Sequence, residues 1–143
     1  MKNWKESLDK KIVYWMKKVG LPFSRFSLAV IFIWFGALKV VSSSPATELV
    51  AKTIYWFNPN WFVPFLGIWE VVIGLCFLYK PLLRFGILIM SIQMLGTFLP
   101  LILLPDVTFS KFLVPTLEGQ YIIKNLVLIA SAIVIGSSVR NNK

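Results

Sequence analysis

Four predominantly apolar segments, each close to twenty residues long, limit what this chain of 143 residues can fold into. They are residues 22–41, 61–79, 82–104 and 121–139. A helix needs about 20 apolar residues to cross the roughly 30 Å hydrocarbon core of a bilayer. The mean hydropathy of +0.76 and the charged fraction of 15% also lie outside the range of soluble domains. We therefore predict an all-α membrane protein, with a single four-transmembrane-helix bundle over residues 21–139.

The first twenty residues are basic and amphipathic. Six lysines accompany apolar side chains at helical spacing, which are Trp4, Leu8, Ile12, Trp15 and Met16. This pattern predicts an interfacial helix over residues 1–20 that lies in the headgroup plane and contacts anionic lipid headgroups. A helix that docks a partner protein is the alternative. Lipid headgroups also account for the net charge of +9, so nucleic acid is not predicted as a partner.

The connections of the predicted bundle contain signals for local structure. Ser44 and Pro45 form a capping residue and a first-turn proline, so a short outer-face helix is expected over residues 45–57. The connection 105–120 is expected to form a second, partly structured cover. Pro100 is expected to bend the third helix near its end.

Basic residues are distributed unevenly between the two ends of the predicted bundle. Eleven lie in the N-terminal segment up to residue 25, in the 80–84 turn and in the tail 140–143. Only Lys52 and Lys111 lie in the first and third connections. Because cytoplasmic segments of membrane proteins are enriched in Lys and Arg, the N-terminus, the 80–84 turn and the C-terminal tail 140–143 are predicted to be cytoplasmic.

The chain contains no histidine and one cysteine, Cys76. Imidazole haem ligation, histidine zinc sites and a Ser-His-Asp triad are therefore excluded, as are an internal disulfide and a CxxC relay. No metal site is predicted. Cys76 lies between Leu75 and Phe77 and is expected to be a small buried apolar side chain.

The polar residues inside the apolar segments are the candidates for a functional site. Glu70 lies nine residues into the second segment, roughly 13 Å from its start at 1.5 Å per residue. Gln93 has a similar depth, and Lys39 and Lys124 lie near helix ends, from which their long side chains reach inward. We predict that these four side chains converge on the bundle axis in its outer half. Small or polar residues on the same or neighbouring turns support this convergence: Gly36, Gly67, Gly74, Glu118 and Asn125.

Each of these residues also has a simpler interpretation. The side chains of Lys39 and Lys124 could instead reach outward to the membrane interface. Gln93 could instead form only an interhelical hydrogen bond. Glu70 is also explained by a structural ion pair with either lysine. Arg25 is interpreted as a topology anchor. Glu118 is expected in the first turn of the fourth helix, where Thr116 is a capping residue.

Three ordered motifs over residues 22–138 resemble the DoxX-like membrane proteins, in particular their YkgB branch. The stretch from Arg25 to Lys39 resembles the first helix of that family, and Gly67-Ile-Trp-Glu70 with Gly74 resembles its second-helix carboxylate motif. Gly119-Gln-Tyr-Ile-Ile-Lys124-Asn125 is similar to the Gly-Arg-Phe-x-x-Lys-Asp that opens the fourth helix of the YkgB branch. Asn125 replaces the usual acid, which favours pairing of Lys124 with Glu70.

The resemblance implies a four-helix protein of the bacterial inner membrane. Some members of the family are subunits linked to quinone-coupled thiosulfate oxidation, and the YkgB branch includes a protein tied to resistance against reactive chlorine. Most members have no established activity. The resemblance therefore implies at most a subunit of a quinone-linked oxidoreductase.

Three functional hypotheses remain open at this stage. The first is a protein that binds a quinone or another small lipophilic molecule in an outward-facing pocket, with a membrane redox partner as electron donor. Trp34, Phe35 and Trp69 are candidates for the apolar walls of this pocket and are equally suited to face lipid. The second is a structural or accessory subunit in which buried charges hold the helix register. The third is a small transporter or proton pathway, which four helices accommodate only in a homo-oligomer.

Overall fold

A computed structural model describes residues 2–140, and it is mostly helical, with one short hairpin. Four of its helical segments are long and apolar enough to cross a membrane: Asn3–Val40, Pro59–Leu78, Lys80–Leu103 and Leu117–Ser138. In chain order, the elements are α1 (Lys2–Val40), α2 (Thr47–Thr53), α3 (Pro59–Leu78), a 3-10 turn (Lys80–Leu82), α4 (Leu83–Thr97), α5 (Leu99–Leu103), α6 (Pro105–Thr108), β1 (Phe109–Lys111), β2 (Val114–Pro115) and α7 (Leu117–Ser138).

The structure differs from the prediction at the N-terminus. One helix of 39 residues runs through Gly20 and Pro22, where a boundary between an interfacial helix and the first span was expected. Pro22 removes one backbone hydrogen bond, but Gly20 does not adopt the positive φ that ends many helices. All residues from 3 to 20 are exposed. Their placement in the headgroup plane stays a prediction, and it now requires a bend in α1.

The other boundaries agree with the predicted spans to within a few residues. The third span breaks at Phe98, between α4 and α5, because Pro100 has no N–H to continue the helical ladder. The break lies where the bend was predicted. The outer helix α2 is shorter than the predicted 45–57. Helix α7 begins at Leu117, where the Thr116 side chain accepts a hydrogen bond from the Gly119 N–H at 3.2 Å, as the predicted cap requires.

The cover predicted over residues 105–120 contains α6 and the β1–β2 hairpin. This hairpin is the one departure from an all-α fold within residues 2–140, and Leu113 in its turn has a φ of 59°. Gly119 at the start of α7 lies directly against the Thr108 carbonyl, where a Cβ would collide. The hairpin and α6 are therefore packed onto the start of α7.

The four spans run alternately up and down, so the connections fall at two ends. We call the end with residues 41–58 and 98–116 the loop face, and the end with the Lys80–Leu82 turn and Arg140 the termini face. The most extensive helix contact joins α1 and α3. The centre of the bundle is apolar, and its most buried large apolar side chains are Ile73, Phe77, Met90 and Ile135.

Many large apolar side chains of the spans are exposed on the outside of the bundle. Trp34 is 63% exposed, Leu95 76% and Val127 65%. In water such a surface would associate, whereas lipid tails cover it without cost. The fold is therefore that of a bundle whose outer surface faces hydrocarbon.

Candidate functional site

An ion pair between Lys39 and Glu70 lies inside the bundle. Lys39 Nζ donates to Glu70 Oε2 at 2.6 Å, and both side chains are only 9% exposed. Lys39 is in the last turn of α1, and Glu70 is near the middle of α3. A charge so far from water is stable only when it is paired, and here each side chain neutralises the other. The sequence left Lys39 and Lys124 open as partners of Glu70, and in the structure the partner is Lys39.

Two glycines bring the backbones of α1 and α3 close enough for this pair. A Cβ on Gly36 would lie 2.6 Å from the Gly67 carbonyl oxygen, and a Cβ on Gly67 would lie 2.5 Å from the Gly36 carbonyl oxygen. Further along the same contact, a Cβ on Gly74 would lie 2.8 Å from the Ala29 carbonyl oxygen. The three glycines predicted to support the site thus form the contact between α1 and α3.

The direction of the two helices explains why the charged side chains meet. Lys39 follows Gly36 by three residues, and Glu70 follows Gly67 by three residues. In antiparallel helices these steps of about 4.5 Å run in opposite directions, so the two Cα atoms are about 9 Å apart along the helix axis. Because side chains in a helix lean toward its N-terminus, Lys39 and Glu70 lean toward each other across this gap.

Gln93 of α4 completes the cluster. Its Nε2 donates to Glu70 Oε1 at 2.6 Å, so each carboxylate oxygen has one partner. The opposite orientation of the amide would bring two acceptor oxygens together, which fixes the assignment. Lys39, Glu70 and Gln93 therefore join three of the four spans, and the structure brings these three of the four predicted site residues together.

Thr47 Oγ1 on α2 is one of three buried side-chain polar atoms without a hydrogen-bond partner within residues 2–140, and the other two belong to α3 and α4. These two are Gln93 Oε1, an acceptor, and Trp69 Nε1, a donor whose residue precedes Glu70 in α3. Trp69 is half-buried and packs against the apolar core, unlike the exposed Trp34 and Phe35. A buried polar group without a partner costs about 1–3 kcal/mol, so both atoms are available to hydrogen-bond a ligand or water.

Lys124 does not join the cluster, and its predicted pairing with Glu70 is wrong. It is exposed, and its Nζ lies 5.6 Å from the centre of the Tyr121 ring. Ile122, two residues earlier, is buried, and residues two apart lie on opposite sides of a helix. Each Glu70 oxygen already has one hydrogen-bond partner in the cluster. Of the supporting residues on α7, Asn125 is half-buried and Glu118 is exposed in the first turn.

Arg25 has a more specific role than the predicted topology anchor. Its Nε and Nη2 donate to the Phe77 carbonyl at 3.2 and 2.9 Å, and Nη2 also donates to the Leu78 carbonyl at 3.2 Å. Phe77 and Leu78 are the last residues of α3, whose final carbonyls have no helical partner. Arg25 therefore caps α3 from the neighbouring span. No local sequence signal indicated this contact, because the two positions are 52 residues apart.

Two other features lie outside the predicted site. Between α4 and α7 there is an apolar groove of about 250 Å³, lined by Met90, Met94 and Ala132 among others. On α2, Lys52 Nζ donates to the Glu48 carboxylate at 2.6 Å and lowers the pKa of Glu48, although this pair is fully exposed. Cys76 is buried against Gly86 of α4, as predicted.

The fold and the cluster define the class of this molecule: a multi-pass membrane protein with a buried Lys-Glu-Gln cluster between its spans. No protein-family model matches the sequence, and neither the curated proteins nor the solved structures include a significant match. The resemblance to the DoxX-like family therefore stays a prediction.

Proposed function

We propose that this chain is a DoxX-like protein of the YkgB type that binds the polar end of a small lipophilic, quinone-like molecule beside the Lys39–Glu70–Gln93 cluster. It has no activity on its own and serves a membrane redox partner in a response to oxidative stress. Its membrane is the bacterial inner membrane, with both termini cytoplasmic and the loop face outward. The observation that carries the proposal is the pair of unpartnered buried atoms, Gln93 Oε1 and Trp69 Nε1.

The chemistry of these groups suits a molecule that carries both carbonyl and hydroxyl oxygens. The Trp69 N–H donates to a carbonyl, as do the N–H groups of Lys39 that do not face Glu70. Gln93 Oε1 accepts from a hydroxyl, which is the group that a quinone gains on reduction. Because the chain has one cysteine and no histidine, any electrons come from an outside donor.

Binding of a short-tailed quinone tests the proposal. The full-length protein, purified in neutral detergent, is titrated with decylubiquinone, and the Trp69→Phe variant is compared with it. This substitution removes the indole N–H and keeps a ring. We expect the affinity to fall about 5- to 10-fold, as for the loss of one hydrogen bond of 1–1.5 kcal/mol, with little change in the melting temperature of the unliganded protein.

Lys124→Met is the matched control, because Lys124 is a basic residue of a span that lies outside the cluster. It should leave quinone affinity unchanged. The support for this site would be lost if the wild-type protein and the Trp69→Phe variant bound decylubiquinone with equal affinity. It would also be lost if no substitution in the cluster weakened the binding.

A second candidate function is structural, and one observation favours it. The Glu70 carboxylate is paired with the Lys39 ammonium group and accepts a hydrogen bond from the Gln93 amide, and the glycine contact packs α1 closely against α3. The cluster then holds the register of three spans in an accessory subunit of a membrane complex. Under this function Glu70→Gln lowers the melting temperature, and decylubiquinone does not raise it at any concentration.

A further inference from the structure

The groove between α4 and α7 follows the axes of these two helices, and it opens toward the outside of the bundle. Its lining extends from Ile87 of α4 to Phe98, where the span breaks after α4, and its lining on α7 includes Ile129 and Ile133. Eleven residues of helix cover about 16 Å, which is about half of the hydrocarbon thickness and thus close to the reach of one acyl chain. The spans around the groove are apolar outside, so hydrocarbon is what surrounds it.

Two arginines, Arg84 and Arg140, lie at the end of this groove that is nearer the termini face. On α4, Arg84 precedes Ile87 by three residues and shares its side of the helix. Beyond the end of α7, Arg140 follows Gly136 by four residues, and a Cβ on Gly136 would lie 3.3 Å from the Ile87 side chain. Ile87 and Gly136 are therefore at one level, and both arginines lie about one helical turn beyond it.

Both arginines are exposed, and within residues 2–140 neither forms a salt bridge. Their helices meet around the groove, so the two positive charges flank its entrance at the level where lipid headgroups lie. Guanidinium groups bind phosphate with paired hydrogen bonds, and basic sites between spans bind the headgroups of anionic lipids.

We infer that the α4–α7 groove holds one acyl chain of an anionic glycerophospholipid, with the lipid phosphate between Arg84 and Arg140. The arginines supply the preference for negative charge, and the groove supplies the apolar contact. This site is separate from the Lys39–Glu70–Gln93 cluster, and it does not depend on the proposed quinone binding or on the orientation of the chain.

Lipid retention in native mass spectrometry tests this inference. The full-length protein in neutral detergent is mixed with phosphatidylglycerol or phosphatidylcholine, and retained lipid is counted. We expect one phosphatidylglycerol to be retained preferentially. In the Arg84→Gln/Arg140→Gln variant this preference should fall roughly 25-fold, since a basic residue near an anionic surface contributes about 1 kcal/mol.

Two further variants separate the contributions of charge and groove. Lys111→Gln/Lys124→Gln removes two exposed charges, from the hairpin and from the first part of α7, and should leave retention unchanged. Ser91→Phe fills the groove from an exposed position and should weaken retention while both arginines remain. Inorganic phosphate, which has no acyl chain, should not compete.

Equal retention of both lipids by the wild-type protein would overturn the inference, as would unchanged retention in the double arginine variant. A dimer of the wild-type protein that Ser91→Phe dissociates would also overturn it, because a second copy of the chain would then occupy the groove. A photoactivatable phosphatidylglycerol with its reactive group in an acyl chain should label peptides of α4 and α7. Labelling confined to α1 and α3 would equally contradict the site.

Discussion

Gly36 and Gly67 lie against each other so closely that the carbonyl oxygen of each occupies the space a Cβ on the other would need. The hypothetical Cβ–oxygen distances are 2.6 and 2.5 Å. The contact is reciprocal, and Glu70 packs over Gly36 just as Lys39 packs over Gly67. The buried ion pair and the glycine contact are therefore one structural unit, and changes to either should affect the other.

Gly67→Ala should destabilise the protein. The new methyl group meets a backbone oxygen and the Lys39 Cβ, neither of which is the flexible end of a side chain. Overpacking of this kind costs about 1–3 kcal/mol, and it should lower the melting temperature in neutral detergent.

Gly96→Ala is the control for this substitution. Gly96 also lies in a span helix, but no atom lies within 4 Å of the position of its Cβ. Alanine there should leave stability unchanged or raise it by about 0.5–1 kcal/mol through helix propensity. Equal losses in both variants would mean that the glycine contact has no special role.

Lys39→Met should destabilise the protein more than any exposed lysine substitution. It leaves the Glu70 carboxylate buried beside only the Gln93 amide, and breaking a buried pair costs about 3–5 kcal/mol. The double variant Lys39→Met/Glu70→Gln removes both charges and should recover more than 1 kcal/mol of the loss. Thermal unfolding of the two single variants and the double variant measures this coupling.

Lys124→Met provides the comparison, because Lys124 is exposed and contacts the Tyr121 ring. Its effect on stability should stay within about 0.5 kcal/mol. A coupling between Lys124 and Glu70 as strong as that between Lys39 and Glu70 would contradict the cluster as described.

Arg25→Gln should lower stability by about 1.5–3 kcal/mol, the range for hydrogen bonds to charged groups. The substitution leaves the Phe77 and Leu78 carbonyls at the end of α3 without their donor. Arg25→Lys should be intermediate, because an ammonium keeps the charge but lacks the planar fork that reaches both carbonyls. Lys10→Gln, an exposed charge change on the same helix, should have no effect on the melting temperature. If Arg25→Gln behaved like Lys10→Gln, the cap would contribute nothing.

Cysteine labelling in intact cells tests the proposed orientation. Ser110 is exposed in the hairpin on the loop face, and Ser7 is exposed in the N-terminal part of α1. A membrane-impermeant maleimide should label a Ser110→Cys variant and leave a Ser7→Cys variant unlabelled until the cells are broken. The unsubstituted chain should stay unlabelled throughout, because Cys76 is buried. Labelling of only the Ser7→Cys variant in intact cells would reverse the orientation.

Much of the fold could be predicted because its signals are local. Each of the four spans is recognisable from about twenty consecutive apolar residues, without knowledge of its neighbours. The break after α4 follows from Pro100, and the start of α7 follows from Thr116, since both effects act within one helical turn. The helix boundary expected between residues 20 and 22 is absent from α1, because glycine and proline allow a helix to end there without requiring it.

The membership of the cluster depended on tertiary structure. Lys39 and Lys124 lie at similar depths in their spans, so sequence alone left both as partners of Glu70. Only the packing of α1 against α3 at Gly36 and Gly67, and the rotation of α7 that turns Lys124 outward, decided between them. The contact of Arg25 with the end of α3 and the groove between α4 and α7 also depended on tertiary packing. Periodicity along a chain determines which residues share a face, whereas the neighbour that each face meets is set by contacts between residues far apart in sequence.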